Sequence, residues 1–128
     1  MIPFSAKILV VDDDRINRTL LTTMLKNEGY DVDSAENGLQ CLDKLHAGSY
    51  DILLLDLHMP GLDGYEATRA IRKDPRFAKL PIIAMTANAM KGDRELCLEA
   101  GMNDYVSKPI NRDELFSTIE KWSGPRRG

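Results

Sequence analysis

At 128 residues the chain is long enough for one hydrophobic core and too short for two. With 43% hydrophobic residues, 29% charged residues and a formal net charge of −3, it reads as an ordinary globular domain, with no charge excess that would suit direct nucleic-acid binding. No apolar run nears the roughly 20 residues of a membrane span, and Met1–Ser5 lacks a charged-then-apolar leader, so membrane insertion is not expected.

Taken in order, Lys7 to Val11 is a β-branched run ending in Asp12-Asp13-Asp14, which predicts a buried strand carrying carboxylates to its C-terminal edge. Ile16, Leu20, Leu21, Met24 and Leu25 then recur at helical spacing, with Arg15, Asn17, Arg18 and Lys26 assigned to the other face. Asp14 is placed to cap this helix and Gly29 to end it. Tyr30 to Ala35 predicts a weaker, alternating strand near the sheet edge. Asn37-Gly38 opens a helix with Leu39, Leu42, Leu45 and His46 on one side, closed by Gly48. Cys41 in this helix and Cys97 further on are expected as buried or half-buried thiols rather than a disulfide or metal pair, which fits a cytoplasmic location.

The most telling stretch is Asp51 to Asp56. Its apolar run predicts a strand buried on both faces, with one carboxylate, Asp56, at the C-terminal end before Pro60, Gly61 and Gly64 turn the chain. A helix from about Gly64 to Lys73 sets Ala67 and Ile71 inward until Asp74-Pro75 breaks it. Leu80 to Thr86 predicts a fourth strand with Pro81 at its start. The helix around Asp93 to Ala100 has a poor apolar stripe, stops at Gly101, and is expected to be the least firmly held. Asp104 to Pro109 is a brief fifth strand. The last helix starts near Asn111 as its cap, turns Leu115, Phe116, Ile119 and Trp122 inward, and ends at Gly124 and Pro125.

Five strands alternating with five helices predict a doubly wound α/β fold, a five-stranded parallel sheet with helices on both faces. Right-handed crossovers favour the flavodoxin-like order 2-1-3-4-5. The domain core is expected over about 6–122, with tails at 1–5 and 123–128. Arg126 and Arg127 read as a solubilising end or the start of a linker.

Polar residues end successive strands: Asp12 and Asp13 after the first, Asp56 on the third, Thr86 on the fourth and Lys108 after the fifth. In a parallel sheet these ends share one edge, where open α/β sheets bind ligands. Three carboxylates drawn together repel and raise at least one pKa, a conflict that a hard divalent cation removes. Asp13 and Asp56 are expected as direct Mg²⁺ ligands, Asp12 through water, and the backbone carbonyl of His58 as a further oxygen; Mn²⁺ is an acceptable substitute. Phosphoryl transfer onto Asp56 would then need little more than positioning and charge. Lys108 would pair with one phosphoryl oxygen, and the Thr86 hydroxyl could donate to another. Singly each residue is unremarkable, since an Asp-Asp-Asp run ordinarily caps a helix. The placement on successive strand ends carries the reading.

The sequence resembles the receiver domain of bacterial-type response regulators over about residues 6–122. Its matching pieces are Ile-Leu-Val-Val-Asp-Asp (8–13), Asp51 to Gly64 with Met59-Pro60-Gly61, Met85-Thr86-Ala87, Ala100-Gly101, and Tyr105-Val-Ser-Lys108-Pro109. The stretches around Met85 to Met90 and Gly101 to Ile110 look most like receivers of hybrid sensor histidine kinases. The resemblance implies Asp56 as phosphorylation site, Asp12 and Asp13 as acidic pair, Thr86 and Lys108 as phosphoryl contacts, Tyr105 as the aromatic switch, and a cis Lys108-Pro109 bond. It also implies a donor, a histidine kinase or histidine phosphotransfer domain, and an output surface made of the fourth helix, fifth strand and fifth helix. By the same resemblance His58 and Asn88 flank the path of an attacking water, Asp14 adds negative charge near the metal, and a weak dimer remains open.

Three other readings are weaker. A phosphohydrolase of the haloacid-dehalogenase type wants an acid two residues after its nucleophile, where this chain has His58, and no insertion supplies a substrate pocket. A flavin carrier of the same fold needs a loop of anion donors after the first strand, where Asp12-Asp13-Asp14 would repel phosphate. A receiver-like docking module that no longer takes phosphate does not suit a chain that keeps Asp56, Thr86 and Lys108. No DNA-binding, catalytic or second receiver segment is read after residue 122, so output is expected through a partner or through parts absent from this chain.

Overall fold

The computed structural model describes residues 6–87 and 93–123. Strands β1 (Lys7–Val11), β2 (Asp31–Ala35), β3 (Ile52–Asp56), β4 (Ile82–Thr86) and β5 (Asp104–Ser107) form one parallel sheet in the order β2-β1-β3-β4-β5. Helices α1 (Arg15–Asn27), α2 (Gly38–Ala47), α3 (Gly64–Arg72), α4 (Asp93–Ala100) and α5 (Arg112–Ser123) connect or follow them. The expected fold class and strand order are both observed. Asn88, Met90, Gly124, Pro125, Arg126, Arg127 and residues 1–5 lie outside the described residues, whereas Ser123, expected in a tail, ends α5.

Because side chains alternate along a strand, the buried sheet divides its core in two. Leu9, Val11, Leu53, Leu55, Ile82 and Ala84 face one layer with Cys41 and Leu45 of α2, Ala67 and Ile71 of α3, and Cys97 of α4. Ile8, Val10, Ile52, Leu54, Ile83, Met85 and Val106 face the other, against Leu21 and Leu25 of α1 and Leu115, Phe116 and Ile119 of α5. Both cysteines are buried thiols, as expected, and burial pushes Cys41 up to about 12.

Helix ends follow the local chemistry. The Asp14 carboxylate accepts the Ile16 N–H at 3.0 Å, Asn37 accepts the Gln40 N–H at 2.8 Å, and Asn111 accepts the Glu114 N–H at 3.0 Å. Asp63 and Glu66 form a reciprocal capping box on α3 that the sequence reading did not include. Gly101 adopts φ +110°, which suits the stop of α4.

Two helix orientations differ from expectation. Ile16 and Leu20 are 73% and 60% exposed, and only Leu21 and Leu25 of α1 are fully buried. Leu39 is 67% exposed; Leu45 is buried as expected, and α2 also buries Gly38 and Cys41. His46 is exposed as well, its Nδ1 lying 2.6 Å from the Arg76 guanidinium. The physical reason in α1 is polar. Asn17 and Arg18, assigned to the solvent side, turn toward the end of β1, and that rotation carries Ile16 and Leu20 outward.

Candidate functional site

The C-terminal edge of the sheet gathers the residues expected there. Asp12 follows β1 and is fully buried; Asp56 ends β3 and is 2% exposed. Asp13, itself exposed, completes a trio in which one carboxylate oxygen from each of Asp12, Asp13 and Asp56 lies within 4.8 Å of the others. Lys108 reaches the trio from the end of β5. Its Nζ is 3.2 Å from Asp56 Oδ1 and 3.5 Å from Asp12 Oδ2. The Lys108-Pro109 bond is cis, as the resemblance implied.

Local backbone geometry holds these groups in place. The Lys108 N–H donates to the Thr86 carbonyl at 2.8 Å, continuing the β4–β5 ladder one step past the strand. The His58 N–H donates to Asp56 Oδ1 at 3.2 Å, while its side chain is exposed. Gly64 opens α3 directly behind Asp56. A Cβ there would stand 2.6 Å from the Asp56 carbonyl oxygen and 2.8 Å from the Leu57 Cα, so the approach admits only glycine without a shift of backbone.

Burial pushes the Asp56 carboxyl up to about 6; the Lys108 charge opposes the rise, Asp12 adds to it, and the His58 and Lys108 hydrogen bonds oppose it. Burial is the chief cause, and the like-charge conflict expected from the sequence enters as the smaller contribution of Asp12. A cluster of hard carboxylate oxygens with one exposed member suits an octahedral cation that keeps several waters. The residues present therefore fit Mg²⁺.

Other expected residues fall close by. Thr86 is buried at the end of β4, one residue beyond Met85, which pairs with Asp56. Tyr105 is half-buried on β5 opposite Ala84 and packs against the α2–α4 layer. The Asp14 carboxylate caps α1, and its backbone N–H donates to Asp12 Oδ1 at 2.9 Å, so it serves the helix end and the turn.

The sequence reading missed two residues. The Asn17 amide donates to Asp12 Oδ2 at 2.6 Å, and the Arg18 guanidinium donates to the Asp12 carbonyl at 2.7 Å. A usable signal existed: a fully buried carboxylate at a strand end needs donors, and the first turn of the next helix is the nearest source.

A rim of carboxylates with a lysine drawn across it is the reverse of a flavin carrier's anion-binding loop, and among doubly wound folds it defines a receiver-type signalling domain. The chain belongs to the response regulator receiver domain family, whose sequence profile matches residues 8–120. It is 45% identical over 126 residues to hybrid signal transduction histidine kinase I of Dictyostelium discoideum, covering 93% of this chain. The chain spans 7% of the length of that kinase. A crystal structure of a sensor histidine kinase receiver domain from Pseudomonas aeruginosa, with magnesium coordinated in its active-site cleft, is 44% identical to this chain. It covers 95% of this chain and 100% of its own, with a TM-score of 0.87. The receiver domain of a Saccharomyces cerevisiae response regulator, crystallised with a histidine phosphotransfer signaling protein, is 27% identical. It covers 96% of this chain and 92% of its own, with a TM-score of 0.87. Among the described residues no helix is long and apolar enough to cross a membrane.

Proposed function

We propose that this domain accepts a phosphoryl group on Asp56 from a phosphohistidine of a histidine kinase or a histidine phosphotransfer domain. The observation that carries the reading is the Asp56 carboxylate itself, buried at the sheet edge within reach of Lys108 and beside Asp12 and Asp13. A carboxylate oxygen attacks phosphorus, the phosphorus–nitrogen bond breaks, and the imidazole leaves as the neutral base once protonated. Lys108 is released from Asp56 to pair with a phosphoryl oxygen, and the Thr86 hydroxyl donates to another. Asp12, Asp13, Asp56 and the His58 carbonyl would hold Mg²⁺, or Mn²⁺ in its place, and the bound ion supplies charge neutralisation at the crowded rim.

Output follows from the same event. Thr86, drawn to the phosphoryl group, leaves room for Tyr105 to turn inward, and the α4–β5–α5 surface changes as a unit. His58, two residues after Asp56, sets the rate of a slow self-dephosphorylation. The domain acts as a single unit over about 6–122, in the cytoplasm, without binding nucleic acid, and self-associates at most weakly. Ile16 and Leu20, exposed on the first turns of α1 beside the rim, are apolar surface that a donor domain would cover as it brings its histidine to Asp56.

The test is phosphotransfer from histidine-phosphorylated donors and from a small phosphodonor with Mg²⁺. Wild type should gain a hydroxylamine-labile label, and Asp56→Asn should gain none. Undiminished labelling of Asp56→Asn would remove the site assignment.

A further inference from the structure

A buried carboxylate needs a partner for each of its oxygens, and Asp12 finds them almost wholly in the turn that leaves β1 and the start of α1. Its Oδ1 accepts the Asp14 N–H at 2.9 Å. Its Oδ2 accepts the Asn17 amide at 2.6 Å, with Lys108 Nζ at 3.5 Å. The Arg18 guanidinium meanwhile grips the main-chain carbonyl of Asp12 at 2.7 Å. Side chain and backbone of one residue are thus both anchored by α1, and Asp13, the next residue along, is exposed.

We propose that Asn17 and Arg18 are positioning residues of the divalent-cation site, fixing the Asp12 carboxylate and the turn that presents Asp13. Groups that orient metal-site carboxylates through hydrogen bonds commonly govern affinity as strongly as some of the ligands themselves. Asn17 is suited to the role because it is neutral: it orders Asp12 without cancelling the negative charge that attracts the cation. Arg18 directs its charge at a carbonyl rather than a carboxylate, so it stiffens the turn and leaves both Asp12 oxygens to other donors. The inference rests on the reading of Asp12, Asp13 and Asp56 as a Mg²⁺ site.

Calorimetric titration of Mg²⁺ into wild type, Asn17→Ala, Arg18→Gln, Asp12→Ala and the Asp12→Ala/Asn17→Ala double variant tests it, each protein first checked for native circular dichroism. Asn17→Ala should weaken Mg²⁺ binding about ten-fold, and Arg18→Gln should weaken it less. In phosphorylation assays Asn17→Ala should raise the half-saturating Mg²⁺ concentration, with the rate at saturating Mg²⁺ close to that of wild type. With Asp12 already replaced by Ala, adding Asn17→Ala should change nothing further, because its partner is gone. A merely structural role would leave the loss intact in that background, and that result overturns the proposal. Should Asn17→Ala fail to fold, Arg18→Gln carries the test, and unchanged Mg²⁺ affinity in it overturns the proposal. Wild type that binds Mg²⁺ beside an Asn17→Ala variant of equal affinity removes this inference alone. Wild type that binds none removes the metal reading, and the inference with it.

Discussion

Asp56 ionises less readily in the fold than in the unfolded chain, and the direction of that shift sets a stability trend. Its ordinary value is 3.8, and the folded value is pushed up to about 6. The folded state therefore binds the proton more tightly, and stability is lost as pH rises from about 4 through 6. At pH 7 without Mg²⁺ the charged acceptor strains the apo domain, and Asp56→Asn should stabilise it by an amount on the order of 1–3 kcal/mol. Denaturant unfolding of both proteins in chelator, at pH 5 and pH 7, measures this; the gap should shrink at the lower pH. At this scale the sequence was legible wherever function sat on a strand end, because burial and chain direction alone place Asp12, Asp56, Thr86 and Lys108 on one edge. It was not legible for Asn17 and Arg18. Apolar residues at 16, 20, 21, 24 and 25 cover more of the α1 circumference than one face, so periodicity left the rotation open. The hydrogen-bonding demand of Asp12 decided it.

Among the elements, α3 and α4 are held in contrasting ways. The start of α3 presses on the chain behind Asp56, with the Gly64 N–H donating to the Leu57 carbonyl at 3.1 Å. Gly64→Ala would place a methyl 2.6 Å from the Asp56 carbonyl oxygen. It should destabilise by about 1–3 kcal/mol and slow labelling by displacing the acceptor; thermal unfolding and phosphorylation rates read the two effects. At the far end of α3, Arg72 acts as a clamp. Its Nε donates to the Gly101 carbonyl at 2.9 Å, and its two terminal nitrogens reach the Phe77 carbonyl at 2.6 Å and Asn103 Oδ1 at 2.9 Å. Arg72→Ala leaves two buried-edge carbonyls without their charged donor, so amide exchange through α4 should quicken markedly while α1 and α5 keep their protection. Exchange followed by mass spectrometry would show equal acceleration everywhere if Arg72 merely contributed to global stability. The weak apolar stripe of α4 was visible in the sequence. The clamp was not, because Arg72, Phe77 and Gly101 meet only in three dimensions.

For the whole molecule, folding and ion binding are linked. A ligand that binds only the folded state stabilises it by about 2.7 kcal/mol at a hundred times its dissociation constant. Mg²⁺ at such excess should raise the melting temperature of wild type, chelator should reverse the rise, and Asp13→Ala should abolish most of it. Differential scanning fluorimetry across a Mg²⁺ series checks the whole set. The fold itself was the most legible level. Continuous apolar runs marked β1, β3 and β4 as interior strands, and the alternation of strands with helices left few layouts. Strand β2, with exposed Asp31 and only Ala35 fully buried, gave the weakest signal and sits at the sheet edge.

The firm anchorage of the Gly101 end of α4 gives that end the character of a pivot. Arg72 and Asn103 fasten the Gly101 end to α3 and β4, the Asn103 side chain also taking the Ile82 N–H at 2.8 Å. Eight residues of helix make an arm of about 12 Å, so a swing of about ten degrees around that pivot carries the opposite tip roughly 2 Å. The end that swings is Asp93, the one that follows Thr86 along the chain, so a movement at the rim would be spent on that tip while the fulcrum itself stands still.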